Sequence, residues 1–251
     1  MNVNVIKPVT SNTFRKMKKN NEKITMLTAY DFSTAKYIDE CGVDSILIGD
    51  SLGMTILGYD TTINVTVEDM VTFTKAVSNG VKRALVISDM PFLSCNVSLE
   101  QTVINAGKLI QAGAKAVKLE GASDFILKEV NHLTQSGINV VGHLGFTPQY
   151  INTIGGYFVQ GKSYENTIKL LEAAKKLEEN GAFAIVFEMV PAESAKYITE
   201  NLKQYANLKE IMKSAIDKYN KDVKSGLFPQ AEHSFNLTDE EKLKLEHNYS
   251  K

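Results

Sequence analysis

Ser45-Ile46-Leu47-Ile48-Gly49-Asp50-Ser51-Leu52-Gly53-Met54 is the stretch whose reading decides the fold. Ser45–Ile48, three of its four residues aliphatic, reads as a short buried strand, and Gly49 lets the chain turn. A carboxylate and a hydroxyl, Asp50 and Ser51, follow at once. A charge directly after an apolar strand is tolerable only where the strand ends at a solvated or cation-filled site. The pattern recurs along the chain. Ala84–Ser88 runs into Asp89, Ala116–Leu119 into Glu120, and Ala184–Phe187 into Glu188. Four apolar strands each deliver an acid at the carboxyl end, and in parallel α/β folds those ends lie together and carry the chemistry.

Working outward, Thr10–Glu22 is polar and basic and predicts a helix closing one end of the domain, before a first strand at Ile24–Thr28. Asp31 is a good N-cap for a helix reaching Cys41, Thr66 for one ending at Gly80, and Ser98 with Gln101 forms a capping box for one ending at Gly113. Helices from about Ser123 to Gly137 and from about Tyr164 to Asn180 frame a strand at Ile138–Val141, after which come Gly142 and His143. The helix–glycine–strand rhythm at Gly42, Gly113, Gly137 and Gly181 means right-handed βαβ units and a parallel sheet. Acids on several strand ends favour a closed (βα)8 TIM-type barrel, which brings its strand ends round one mouth. Only six strands are found. Past a helix at Ala192–Leu202 the pattern stays helical, so strands 7 and 8 are missing and the join Leu202–Lys203 is the suspect point.

The bulk composition sets limits. A chain of 251 residues with 43% hydrophobic residues fills one large domain, residues 1–251. A net charge of −1 gives no reason to expect nucleic acid or membrane as partner. No run of apolar residues spans a bilayer and no leader is seen at the N-terminus, so a cytoplasmic protein is expected. Cys41 and Cys95 fit no metal or redox spacing, and Cys41, at a helix end, reads as packing.

Asp50, Asp89 and Glu120 are hard oxygen donors, and grouped round one cavity they would repel one another without a cation; Mg²⁺ is the natural occupant. The bland alternative, that each acid caps a helix or meets a surface lysine, suits any one of them better than the set. Lys118 and Glu120 alternate along one strand and face the same side. A lysine in an apolar strand needs a partner, either Glu120 or an anionic substrate. His143 is a possible additional site residue, though a lone histidine is more often structural. Gly156–Ser163 matches the phosphate-loop pattern letter for letter, but a polar, turn-rich connection precedes it and Tyr157, Phe158 and Val159 are too bulky to wrap a phosphate. A loop over the site mouth is the better reading.

In order, the blocks LIGDSLGM, SDMPF, AVKLEG, GHLGFTPQ, GGYFVQGKS, FEMVP and FPQAEHSF resemble the ketopantoate hydroxymethyltransferase family from about Thr25 to Phe235, with an extension from about Asn236. The resemblance implies a (βα)8 barrel, Mg²⁺, 5,10-methylenetetrahydrofolate as one-carbon donor, and a homodecamer. It also implies the first committed step of pantothenate synthesis, hydroxymethyl transfer to 3-methyl-2-oxobutanoate through a Mg²⁺-stabilised enolate, giving 2-dehydropantoate. By motif, Asp50 and Asp89 match the metal ligands, with Glu120 the third metal-site acid. Asp50, Ser51, Asp89 and Lys118 match the 2-oxo-acid contacts, and Glu188 matches the catalytic proton acceptor. One departure is large. The family's next strand, a glycine-rich loop, a further strand and a PKF-type segment are absent after Leu202, and Lys203 resumes in what resembles the final helix. A segment of about 30–40 residues, from typical strand and loop lengths, is expected to be unrepresented there rather than truly deleted. The rival readings are a Mg²⁺-dependent 2-oxo-acid lyase or mutase of the phosphoenolpyruvate-mutase and isocitrate-lyase type, and a catalytically dead barrel scaffold if the deletion is real.

Overall fold

The computed structural model describes residues 7–202 and residue 225. The chain divides into two compact units, residues 1–204 and 205–251, and every strand and helix named below belongs to the first. The Leu202–Lys203 join and the extension from Asn236 lie outside the described residues.

Six strands pair in sequence order and all in parallel: β1 (Met26–Thr28), β2 (Ser45–Ile48), β3 (Leu85–Asp89), β4 (Ala116–Glu120), β5 (Asn139–Gly145) and β6 (Ala184–Glu188). Helices alternate with them: α1 (Ser11–Lys19), α2 (Phe32–Glu40), the single turn α3 (Leu52–Thr55), α4 (Val67–Gly80), α5 (Leu99–Gln111), α6 (Asp124–Gln135), the single turn α7 (Ile151–Ile154), α8 (Tyr164–Glu179) and α9 (Ala192–Asn201). Successive side chains of a strand point to opposite faces, so each strand feeds two cores. Ile46, Ile48, Val86, Val117, Leu119, Val140 and Leu144 pack outward against the helices. Met26, Leu47, Leu85, Ile87, Ala116, Val141, Ala184 and Val186 meet in one inner cluster. A single inner cluster fed by all six strands requires a curled sheet, the half-barrel of the expected architecture. Strands 7 and 8 are not found among the described residues. α1 closes the amino end of the inner cluster through Phe14, which meets Phe183 edge-on at 5.6 Å.

The caps follow the sequence with one exception. Asp31, Thr66 and Ser123 each accept from the backbone N–H three residues on. At Ser98 the expected box is half formed: Ser98 accepts from the Gln101 N–H, but the Gln101 amide donates along the helix to Asn105. Cys41 is exposed at the end of α2, so packing does not account for it; Cys95 is the buried thiol. β5 runs past the expected Val141 to Gly145, so His143 lies within a strand and not after its end.

Helices α5 and α6 trap one unused acid. Glu129 is buried, its Oε1 lies 2.6 Å from Thr102 Oγ1, and Oε2 has no hydrogen-bond partner among the described residues. Burial, only partly offset by the Thr102 bond, pushes its pKa up to about 7 from an ordinary 4.5. The folded state therefore binds more protons than the unfolded one between those values, and stability falls as pH rises through that window. Glu129→Gln removes the charge and keeps the shape. Its Tm advantage over the parent should grow from about pH 5 to about pH 8 in thermal melts; a constant difference would show Glu129 ionised at no cost.

Candidate active site

The inward-facing positions at the carboxyl ends of the strands hold the site. Asp89, Glu120 and Glu188 are the last residues of β3, β4 and β6, and Asp50 stands two residues past β2. Strand register sets Asp89 beside Lys118, Glu120 beside His143, and Gly145 beside Glu188. Gly145 has φ +95° and no room for a side chain, because a Cβ would overlap the Glu188 carbonyl. Glycine there lets β5 and β6 close up just where Glu188 is delivered. At Gly49 a Cβ would press on Ser51 Oγ at 2.8 Å and meet Asp89 Oδ2 at an ordinary 3.6 Å. Gly49 is not among the positive-φ glycines, so the turn expected there does not use glycine's left-handed freedom.

Side chains then meet across the strand ends. Asp89 Oδ2 accepts from the Asp50 backbone N–H at 3.1 Å, and Asp89 Oδ1 stands 3.1 Å from Lys118 Nζ, at ion-pair distance but off the line of a good hydrogen bond. His143 bridges two acids, with Nδ1 3.2 Å from Glu120 Oε1 and Nε2 3.3 Å from Glu188 Oε2, the latter again an imperfectly aligned pair. Lys118 Nζ also reaches His143 Nδ1 at 3.1 Å. Asp50, Asp89, Lys118, Glu120 and His143 are buried; the Glu188 side chain is 42% exposed and faces the opening.

Burial, reinforced by Asp89 and Glu120, raises the Asp50 pKa to about 7 against the pull of Lys118 and Gln149. Asp89 is raised as well, chiefly by burial and then by Glu120, with Lys118 opposing. Burial and Lys118 pull the His143 pKa down, but its bonds to Glu120 and Glu188 outweigh them and hold it above the ordinary value. For Lys118, burial is outweighed by Asp89, Glu120 and Asp50, so the ammonium persists. Three acids against one buried ammonium leave an excess of negative charge that a divalent cation would neutralise. Among the described residues no three His, Cys, Asp or Glu side chains form a ready cage. The donor set therefore fits a cation shared with substrate oxygens and water, the habit of Mg²⁺, and not a closed protein site.

All seven expected residues gather here: Asp50, Ser51, Asp89, Lys118, Glu120, His143 and Glu188. Two others were not foreseen. Tyr30 places its hydroxyl 2.7 Å from Ser51 Oγ, and Gln149 donates to Asp50 Oδ2 at 2.8 Å. The phosphate-loop look-alike serves otherwise. Tyr157 packs on Phe146 at 5.0 Å, and the Gln160 N–H donates to the Met189 carbonyl, so the loop sits beside Glu188. The single turn α7, and not a strand, precedes it.

Fold and site together define a parallel α/β protein of the half-barrel type with carboxylates gathered at its strand ends. Solved structures share the fold. A 2,3-dimethylmalate lyase of the PEP mutase/isocitrate lyase superfamily aligns at TM-score 0.57 and 14% identity, over 95% of this chain and 98% of that one. Phosphonopyruvate hydrolase aligns at TM-score 0.54 and 11% identity over 96% of each chain. A family model described as ketopantoate hydroxymethyltransferase matches residues 8–203. A 3-methyl-2-oxobutanoate hydroxymethyltransferase of Thermoanaerobacter sp. (strain X514) is 46% identical over 269 positions, covering 93% of this chain and 98% of that protein. The namesake of Clostridium novyi (strain NT) is 45% identical over 266, covering 92% and 96%. The chain belongs to the ketopantoate hydroxymethyltransferase family, a family of hydroxymethyl-transferring enzymes. The Thermoanaerobacter alignment is longer than the 251 residues of this chain and takes in 93% of them, so about 36 of its positions hold no residue here.

A cation taken up at Asp50 would have to displace the proton that its raised pKa favours. Mg²⁺ affinity should climb with pH to about 7 and then level off, and titration calorimetry in two buffers of different ionisation enthalpy should show net proton release. Binding heats independent of the buffer would show that Asp50 is already ionised or does not take part.

Proposed function

We propose that the chain transfers a hydroxymethyl group from 5,10-methylenetetrahydrofolate to 3-methyl-2-oxobutanoate, giving 2-dehydropantoate, with Mg²⁺ as its cation, in the cytoplasm and as a homodecamer. The observation that carries this reading is the line Glu188–His143–Glu120 beside the Asp50–Asp89–Lys118 cluster, in a chain 46% identical to a protein named for that activity.

Lys118 and the Ser51 hydroxyl, the latter steadied by Tyr30, bind the carboxylate of the 2-oxo acid. Asp50 and Asp89 would hold Mg²⁺, which when bound supplies Lewis acidity to the keto oxygen. Glu188, the one accessible acid of the set, takes the C3 proton. His143, between Glu188 and Glu120, aims the Glu188 carboxylate. Water adds to the folate-borne methylene carbon and both its C–N bonds break, the two nitrogens taking the protons, which leaves tetrahydrofolate and formaldehyde. The electron pair left at C3 then forms the new bond to the formaldehyde carbon, and the carbonyl oxygen takes the proton held by Glu188 to become the product hydroxyl. Glu120, spent on His143 and on the Gln149 N–H, positions its neighbours and would act on the cation only indirectly.

The positions of the Thermoanaerobacter relative without a counterpart here we place at the Leu202–Lys203 join. Their number matches two strands with their loops, and the family match ends at residue 203.

Deuterium exchange at C3 of 3-methyl-2-oxobutanoate, followed by NMR without folate, isolates the first step. It should require Mg²⁺ and fall by roughly 10²–10⁴-fold in Glu188→Gln, the usual contribution of a general base. Exchange at the parent rate would transfer the role to His143, and metal binding without any exchange in the parent would favour a scaffold. With ¹³C-methylene folate, label should appear in a hydroxymethyl group; turnover of the 2-oxo acid without folate would favour a lyase.

A further inference from the structure

Gln149 belongs to the 3-10 turn Pro148–Tyr150 that follows β5, yet each of its donors is committed to a different strand end. Its side-chain NH2 carries two protons. One goes to Asp50 Oδ2 past β2 at 2.8 Å, the other to the Met90 carbonyl past β3 at 2.9 Å. Its backbone N–H goes to Glu120 Oε2 at the end of β4, at 3.1 Å. The residue is 5% exposed, so none of these bonds competes with bulk water.

A buried amide has to satisfy its donors, and any carbonyl would serve that need. Here two of the three acceptors are site carboxylates. The consequence shows in what remains open on each acid. Glu120 has one oxygen on His143 and the other on Gln149, and Asp89 has one on Lys118 and the other on the Asp50 N–H. Asp50 has Oδ2 on Gln149, while Oδ1 has no hydrogen-bond partner among the described residues. A neutral donor suits this place. A lysine would compete with the cation, and a glutamate would add a fourth negative charge.

We propose that Gln149 is a positioning residue that pins Asp50 through Oδ2, so that Oδ1 alone is presented, in fixed orientation, to the divalent cation. The inference rests on the reading of Asp50 as a cation ligand and goes beyond it by assigning the residue that orients it.

The probe is Mn²⁺, titrated into the full chain by electron paramagnetic resonance, alongside steady-state kinetics. Gln149→Met keeps the volume and removes both side-chain donors, leaving the backbone bond to Glu120. Mn²⁺ affinity should fall about 10–100-fold, the usual effect of losing a partner of a metal ligand. KM for the 2-oxo acid should rise more than kcat falls. Adding Gln149→Met to Asp50→Asn should cost little further affinity, because the two act through one contact. Tyr150→Phe loosens the same turn at its Asn96 bond without touching Asp50, and should leave Mn²⁺ affinity within about two-fold. The inference is overturned if folded Gln149→Met binds Mn²⁺ like the parent, if its effect adds fully to that of Asp50→Asn, or if Tyr150→Phe is equally impaired. Should Gln149→Met not fold, Gln149→Asn, one methylene too short to reach Asp50, carries the same expectations and the same contradiction. A parent chain that binds no Mn²⁺ removes the functional reading and this inference with it, whereas a parent that binds Mn²⁺ and transfers label while Gln149→Met is unaffected removes this inference alone.

Discussion

The structure depends on how much negative charge can be held at the ends of apolar strands. Asp50, Asp89 and Glu120 are all buried, with one ammonium, Lys118, among them. At an effective dielectric of about 20, two like charges ~4 Å apart repel by about 4 kcal/mol. A whole domain is stable by only about 5–15 kcal/mol, so an uncompensated trio would use up much of that margin. The raised Asp50 and Asp89 pKa values come first from burial and only then from the neighbouring acids. A proton relieves the repulsion, and under the proposed function a divalent ion would relieve it while drawing substrate oxygens into the same place.

The scaffold brings the acids together through strand alternation and two tight glycine positions. Alternation puts Asp89, Lys118, Glu120, His143 and Glu188 on the inner face, above the apolar cluster that fills the amino end of the half-barrel. Gly145 leaves space where a side chain would hold β5 and β6 apart, and Gly49 leaves the Ser51 hydroxyl unobstructed. Hydrogen bonds between elements then fix the acids singly: Tyr30 on Ser51, Gln149 on Asp50 and Glu120, and the Asp50 N–H on Asp89.

Strands ending in acids and helices ending at glycines carry local signals strong enough to place six βα units in the sequence and, from period-2 alternation, to put Lys118 and Glu120 on one face. Sequence misleads where tertiary packing decides the outcome. Gly142 looks like the end of a strand, but it is a mid-strand glycine facing Leu177, where a Cβ would come within 2.8 Å of Leu177 Cδ1. β5 therefore continues, and His143 becomes a site residue. Gln149 and Tyr30 are invisible in the sequence for another reason. A neutral amide in a turn and a tyrosine after a strand have no period and no charge, and only the folded chain shows what they touch. At the Ser98–Gln101 box the second half is not made: the Gln101 side chain is directed along the helix, its NH2 donating to Asn105 Oδ1.

Asp50 and Asp89 are held to share a divalent cation with the 2-oxo acid, and on this the whole account of the site turns. Electron paramagnetic resonance of the Mn²⁺-loaded protein with ¹⁷O-labelled 3-methyl-2-oxobutanoate tests it most directly. Label in the keto or carboxylate oxygen should broaden the Mn²⁺ lines through direct coordination, and the broadening should vanish in Asp89→Asn. Lines unchanged by the label in the parent protein would show that cation and substrate do not meet, and the account of the site would fail.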